Sequence, residues 1–180
     1  MTDYEKFIDV YQVAIADAFT KAYEHTEATT NHAQSLAPVS YEPGTKARLV
    51  HDSFRYFISK TLFEDSEVEI IFKYRLLIVT FKKHNIGLLF NKLGKDGRPK
   101  NNDTKLRNLI NNQGQLSFID NATFIVFGYA LNKIETEVRS TYLFPCVLAN
   151  KIPAWFYRFE NNMIEEQLDL FEEAKLVRAA

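Results

Sequence analysis

"VEIIFKYRLLIVTFKKHNIGLLFNKL", residues 68–93, decides the fold class. It holds three runs rich in β-branched and aromatic residues, VEIIFKY (68–74), LLIVTFKK (76–83) and IGLLFNKL (86–93), separated by one or two residues. Such runs suit a pleated surface, and breaks this short leave room only for tight turns. An antiparallel meander is predicted. Three further runs of the same character follow, TFIVFGYAL (123–131), TEVRSTYLFPCVL (136–148) and AWFYRF (154–159), which bring the sheet to about six strands.

The flanking segments have helical periodicity instead. Thr2 and Glu5 form a capping-box pattern, and Tyr4, Phe7, Ile8, Tyr11, Ile15, Ala18, Phe19, Ala22 and Tyr23 recur at three- and four-residue steps. They form one apolar stripe on a long first helix, which LAPVSYEPG (36–44) stops with two prolines and a glycine. A second amphipathic helix is expected over about 46–63, with Leu49, Val50, Phe54, Phe57, Ile58 and Leu62 on one side. KDGRP (95–99) reads as a turn, and Asn102 or Asp103 as the N-cap of a short helix, TKLRNLINN (104–112), that interrupts the sheet. From Asn161 the chain reads as an acidic C-terminal helix with Met163, Ile164, Leu168 and Phe171 on one side. Strands grouped together rather than alternating with helices predict an α+β protein with an antiparallel sheet. The expected organisation is an amphipathic helix over 1–35, an α+β domain over 45–160 and an acidic helix over 161–180. The stripe of the first helix suits either a homodimer contact or burial against the sheet.

At 180 residues the chain is long enough to bury a sizeable core. No apolar run approaches the roughly 20 residues of a membrane span, and the acidic start MTDYEKF resembles no export signal. A single cysteine, Cys146, excludes an internal disulfide and a Cys-rich zinc site. A soluble protein of the reduced cytoplasm, without membrane contact, is expected.

The net charge of −1 conceals a strong asymmetry. Between Lys73 and Arg107 stand ten Lys/Arg against only Asp96 and Asp103, so this segment carries +8 and the remainder −9. The stretch ENNMIEEQLDLFEEA (160–174) holds six acids and no base. Cations neutralise phosphates, exposed aromatics stack on unpaired bases, and amides and hydroxyls donate to sugar and phosphate oxygens. The expected nucleic-acid contacts are therefore Lys73, Arg75, Lys82, Lys83, Lys92, Lys95, Arg98, Lys100, Asn101, Thr104, Lys105 and Arg107, with Phe72, Tyr74, Phe81 and Phe90 interleaved. Glu165, Glu166, Asp169, Glu172 and Glu173 are the expected contacts to a protein partner, imitating phosphate charge.

Catalysis finds less support. Glu69 on one strand and Thr80-Phe81-Lys82 on its neighbour fall where a metal-dependent nuclease has an acid followed by acid-x-Lys. Thr80 occupies the position of the second carboxylate, and a hydroxyl cannot supply that charge to a hard cation. His25, His32, His51 and His84 are scattered, and Cys146 has no histidine in its sequence context to activate it. There is no phosphate-binding glycine loop, nucleophile elbow or dinucleotide fingerprint. No catalytic residue, metal ligand set or cofactor is expected.

FNKLGKDGRPKNNDT (90–104), NNQ (111–113), FGYAL (127–131) and STYLFP (140–145) resemble an uncharacterised family of small proteins from phages and mobile elements of low-GC Gram-positive bacteria. The resemblance covers roughly residues 50–160. In size and helical start the chain is also loosely similar to inhibitors of type II CRISPR nucleases. These likenesses imply an anti-CRISPR-like, non-catalytic nuclease inhibitor acting on a guide-RNA-bound effector, with the basic face on RNA or DNA phosphates. The alternatives are a nucleic-acid-binding regulatory or accessory protein of the element and a degenerate metal-dependent nuclease.

Overall fold

The computed structural model describes residues 3–36, 43–73, 76–94, 122–131, 138–146, 155–159 and 163–166. The chain is α+β: two helices are followed by a mixed sheet. It divides into a compact unit over Met1–Ile70 and another over Ile71–Ala180, so the second helix groups with the first rather than with the sheet.

In the first unit, α1 (Asp3–Leu36) and α2 (Pro43–Thr61) pack against each other. Pro43 opens α2 at a position where its missing N–H costs nothing and its fixed φ suits a helix. Tyr11 meets Asp65, His25 meets Ser53 and Glu27 pairs with Lys46, so the helices run antiparallel. The stripe of Phe7, Ile8, Tyr11, Ile15, Ala18, Phe19 and Ala22 is buried as its spacing predicts, with Val50, Phe54, Ile58 and Leu62 buried on α2. It then continues where the sequence turns polar. Thr26 and Thr30 are also buried, their hydroxyls donating to the carbonyls of Ala22 (2.9 Å) and Thr26 (3.0 Å), so the helix itself satisfies them. Lys46 lies over the Tyr23 ring at 5.6 Å while pairing with Glu27.

Asp65 organises the chain after α2. Its Oδ1 accepts from the Glu67 N–H (2.9 Å), its carbonyl from the Val68 N–H (3.0 Å) and its Oδ2 from the Tyr11 hydroxyl (2.9 Å). One carboxylate thus turns the chain and ties it to α1.

The sheet has seven strands in chain order: β1 (Val68–Lys73), β2 (Leu76–Phe81), β3 (Ile86–Lys92), β4 (Thr123–Leu131), β5 (Val138–Pro145), β6 (Trp155–Arg158) and β7 (Met163–Glu166). β2 pairs antiparallel with β3 (Ile78 opposite Leu89) through a single 3-10 turn, Lys82–His84, closed by Asn85 at φ 52°. Asparagine tolerates this left-handed backbone better than most residues.

Two features depart from the expected antiparallel sheet of about six strands. First, β3 and β4 are parallel, Leu89 lying opposite Val126 and Lys92 opposite Tyr129. Their neighbours remain antiparallel. A parallel pair needs a connection of a dozen residues or more, which the long intervening sequence supplies. Central strands buried on both faces also read as continuous apolar runs, as IGLLF and FIVFGY do. Second, Met163–Glu166 forms β7 against β6, with Trp155 opposite Glu166 and Arg158 opposite Met163. The acidic helix expected over 161–180 is thereby corrected at its start: pairing with β6 satisfies backbone groups that short-range helical periodicity could not foresee. Residues 167–180 lie outside the described residues, as does the short helix expected at 104–112.

One face of the sheet packs Ile78, Leu89, Leu93, Phe124, Val126, Tyr142, Phe144, Cys146 and Phe156 into a core cluster. On the other face an aromatic ladder crosses strands: Phe90 stacks on Phe127 (5.8 Å) and Tyr129 (5.4 Å), and Phe127 meets Phe159 edge-on (5.3 Å). Two glycines make room for the first cluster. A Cβ on Gly87 would lie 2.7 Å from the Phe124 ring, and one on Gly128 would lie 2.6 Å from Leu93.

Gly128→Ala is therefore expected to destabilise the protein by about 1–3 kcal/mol through overpacking. Gly44→Ala, on α2 with nothing within 4 Å of the added methyl, is expected to stabilise it by about 0.4–1 kcal/mol. Urea titration of the two variants should move the midpoint in opposite directions. A second expectation concerns alkaline pH. Burial first, and then the hydrogen bond to Asp65, push the Tyr11 hydroxyl up to about 12 from 10.0. The folded state keeps a proton that the unfolded chain releases, so this contribution is complete below pH 10 and lost between pH 10 and about 12. Tyr11→Phe should remove that part of the alkaline slope relative to wild type in stability measured against pH.

Candidate nucleic-acid interface

Strand direction sorts the charged residues into two ends of the sheet. β2 ends at Phe81, opposite the start of β3 at Ile86, so Lys82 and Lys83 lie in the turn at one end. β3 finishes at Lys92 at the other end, about 20 Å away at a 3.3 Å rise per residue. The expected patch therefore does not form as one surface: Lys82 and Lys83 are divided from Lys92 by the length of the sheet.

The Lys92 end gathers other cations. β2 begins at that end, and β1 stops at Lys73, only two residues earlier. With only two residues between β1 and its sheet neighbour β2, Lys73 lies at this same end. Across the sheet, Lys92 lies opposite Tyr129 and Tyr129 opposite Thr141. Arg139 comes from the start of β5 beside that row, next to a register shift at Ala130/Leu131. Arg158 is opposite Tyr142, with its guanidinium 5.9 Å from the Tyr142 ring centre. Lys73, Lys92, Arg139 and Arg158 thus come from four strands to one end of the sheet, but Arg158 lies on the Tyr142 face with its Nε buried, opposite the Tyr129 face that carries Lys92. Arg139 and Arg158 were not legible as members, because they stand outside the basic run in sequence and only strand order brings them in.

Lys92 is also where the chain leaves β3 toward the densest positive segment. Lys95, Arg98, Lys100, Asn101, Thr104, Lys105 and Arg107 lie outside the described residues, as does Arg75. Of the expected protein-contacting acids, Glu165 and Glu166 are on β7, paired with Phe156 and Trp155 and running away from the Lys92 end. Asp169, Glu172 and Glu173 lie outside the described residues.

The interleaved aromatics separate from the cations. Phe81 and Phe90 are 0% and 5% exposed, which removes them from any base-stacking surface, whereas Phe72 is 48% exposed beside Lys73. Tyr74 lies outside the described residues.

The nuclease-like constellation has one usable acid. Glu69 is exposed on β1, Thr80 is buried with its hydroxyl oxygen lacking a hydrogen-bond partner, and Lys82 is beyond the end of β2. Among the described residues, no group of three or more His, Cys, Asp or Glu could hold a metal ion. His25 Nδ1 is 3.2 Å from Ser53 Oγ, with its ring edge-on to Phe57. Burial lowers the His51 imidazole below its ordinary value, Asp52 opposing and Arg55 adding, so it is neutral at pH 7. Cys146 is free and buried in the core cluster. No described helix is long and apolar enough to cross a membrane.

No protein-family model, curated protein or solved structure matches this chain. What fold and site define is a class: a small α+β protein with a cationic sheet end.

Charge reversal should separate the two ends. Lys73→Glu combined with Arg139→Glu is expected to weaken binding to a nucleic-acid probe on the order of 10²-fold at low salt, two phosphate contacts being lost and two repulsions introduced. Lys82→Glu with Lys83→Glu should weaken it far less. Fluorescence anisotropy on both double variants measures the difference, with circular dichroism to establish that each is folded.

Proposed function

We propose that this chain is a non-catalytic binding protein of a phage or mobile element that inhibits a host defence nuclease in the cytoplasm. Its target would be a guide-RNA-bound effector of the CRISPR type. The cationic end of the sheet contacts nucleic-acid phosphate, and the acidic stretch from Glu165 to Glu173 contacts basic protein surface.

The observation that supports this reading best is that Lys73, Lys92 and Arg139 lie at the end where β3 leads into the basic segment. A ribonucleoprotein presents phosphate and basic protein side by side, so a ligand charged with both signs in separate places is complementary to it. The choice of a defence nuclease draws on the sequence resemblance.

Tagged protein should co-purify with one of a panel of CRISPR effectors and abolish cleavage by it, more strongly when guide RNA is loaded. If it binds naked nucleic acid in a salt-dependent manner but neither associates with nor inhibits any effector, the inhibitor reading fails in favour of a regulatory or accessory protein. Metal-dependent strand scission by the purified chain would favour the degenerate nuclease.

A further inference from the structure

The outward side of α2 carries features that its packing against α1 leaves unused. Val50, Phe54, Ile58 and Leu62 are buried, whereas Tyr56 and Phe63 are 60% and 85% exposed. At about 100° per residue, Leu49, Asp52, Lys60 and Phe63 all lie within about 40° of Tyr56 around the helix. The Leu62 N–H still bonds to the Ile58 carbonyl (3.0 Å), so the helical course carries past Thr61 toward Phe63. Arg48, Asp52, Tyr56, Lys60 and Glu64 follow one another at four-residue steps, and all are exposed. Such a row is one of the ridges by which helices pack.

Its charges read plus, minus, aromatic ring, plus, minus. Reversed, the row reads minus, plus, ring, minus, plus, so it is its own complement. Two copies running antiparallel about a twofold axis at Tyr56 set Asp52 against Lys60 and Arg48 against Glu64, each twice. A parallel pair would set every charge against its like. The same axis brings the half-buried Leu49 level with Phe63, one on either side of Tyr56. Among the described residues Arg48, Lys60 and Glu64 are in no ion pair, although Arg48 and Asp52, and Lys60 and Glu64, have intrahelical spacing. Asp52 lies 3.9 Å from His51, which is neutral at pH 7, and its side chain is 68% exposed. We infer that the outward face of α2 binds a second copy of this chain, antiparallel, with Tyr56 on the twofold axis. At about 200 Å² for a whole ring residue, the exposed parts of Tyr56 and Phe63 offer roughly 600 Å² across the two copies. That is half of the about 1,200 Å² of a small stable interface, so the dimer is weak and forms with concentration. This inference does not rest on the phosphate-binding reading.

The test is sedimentation velocity on the full chain at low salt, over about 10 μM to 1 mM, where wild type is expected to dimerise reversibly. Asp52→Lys and Lys60→Asp, each folded by circular dichroism, set like charges together and should weaken the dimer about tenfold or more. An equimolar mixture of the two variants sets the new lysine of one against the new aspartate of the other. It should restore association to within about threefold of wild type, an effect that damage to the fold could not produce. The double variant Asp52→Lys/Lys60→Asp remains self-complementary and should dimerise as well. Single variants that dimerise like wild type, or a mixture no better than its components, would overturn the inference. So would a wild-type chain that stays monomeric throughout, which would leave the face for a different protein.

Discussion

The parallel pairing of β3 with β4 is the constraint on which the sheet depends. Both strands are buried on both faces, Leu88 and Ile125 on one side and Leu89 and Val126 on the other. Their direction determines where every neighbouring strand begins and ends. Because β3 finishes at Lys92 and β4 starts level with Ile86, the two ends of the sheet receive different parts of the chain. The tight antiparallel turn at Lys82–His84 falls at one end, and the exit into the basic segment at the other. A meander continued through β4 would instead have started β4 at the Lys92 end and reversed the placement of Arg139 and Arg158.

Burial and charge are reconciled by position along the strands. Long cationic side chains are expensive to bury and aromatic rings gain most from burial, so the strand interiors hold Phe90 and Phe127 while the ends hold Lys73, Arg139 and Arg158. A local reading of FKYRLLIVTFKK finds rings and cations interleaved. The fold separates them: Phe81 and Phe90 are buried, while Lys73 is exposed.

The helical unit rests on a different balance. Its seam begins as an apolar stripe and ends in Thr26 and Thr30, whose hydroxyls return to the helix's own carbonyls and so can be buried at little cost. Asp65 then supplies three acceptor contacts where the chain turns after α2. Burial first, and then the hydrogen bond to Asp65, hold the Tyr11 hydroxyl in its neutral form well into alkaline pH.

By itself the sequence determined the elements whose signals are local. The three- and four-residue spacing from Phe7 to Ala22 specified α1, and the apolar runs of 68–93 and 123–131 specified their strands. It also located the positive segment and the absence of a second carboxylate at Thr80. Only the tertiary structure decided that β3 and β4 are parallel, that Met163–Glu166 is a strand, and that Arg139 and Arg158 join Lys92 while Lys82 and Lys83 do not. The reason is physical: periodicity reports which face of an element is buried, whereas strand direction and order depend on backbone hydrogen bonds to partners distant in sequence. No local pattern encodes those partners, and the location of the charge follows from them.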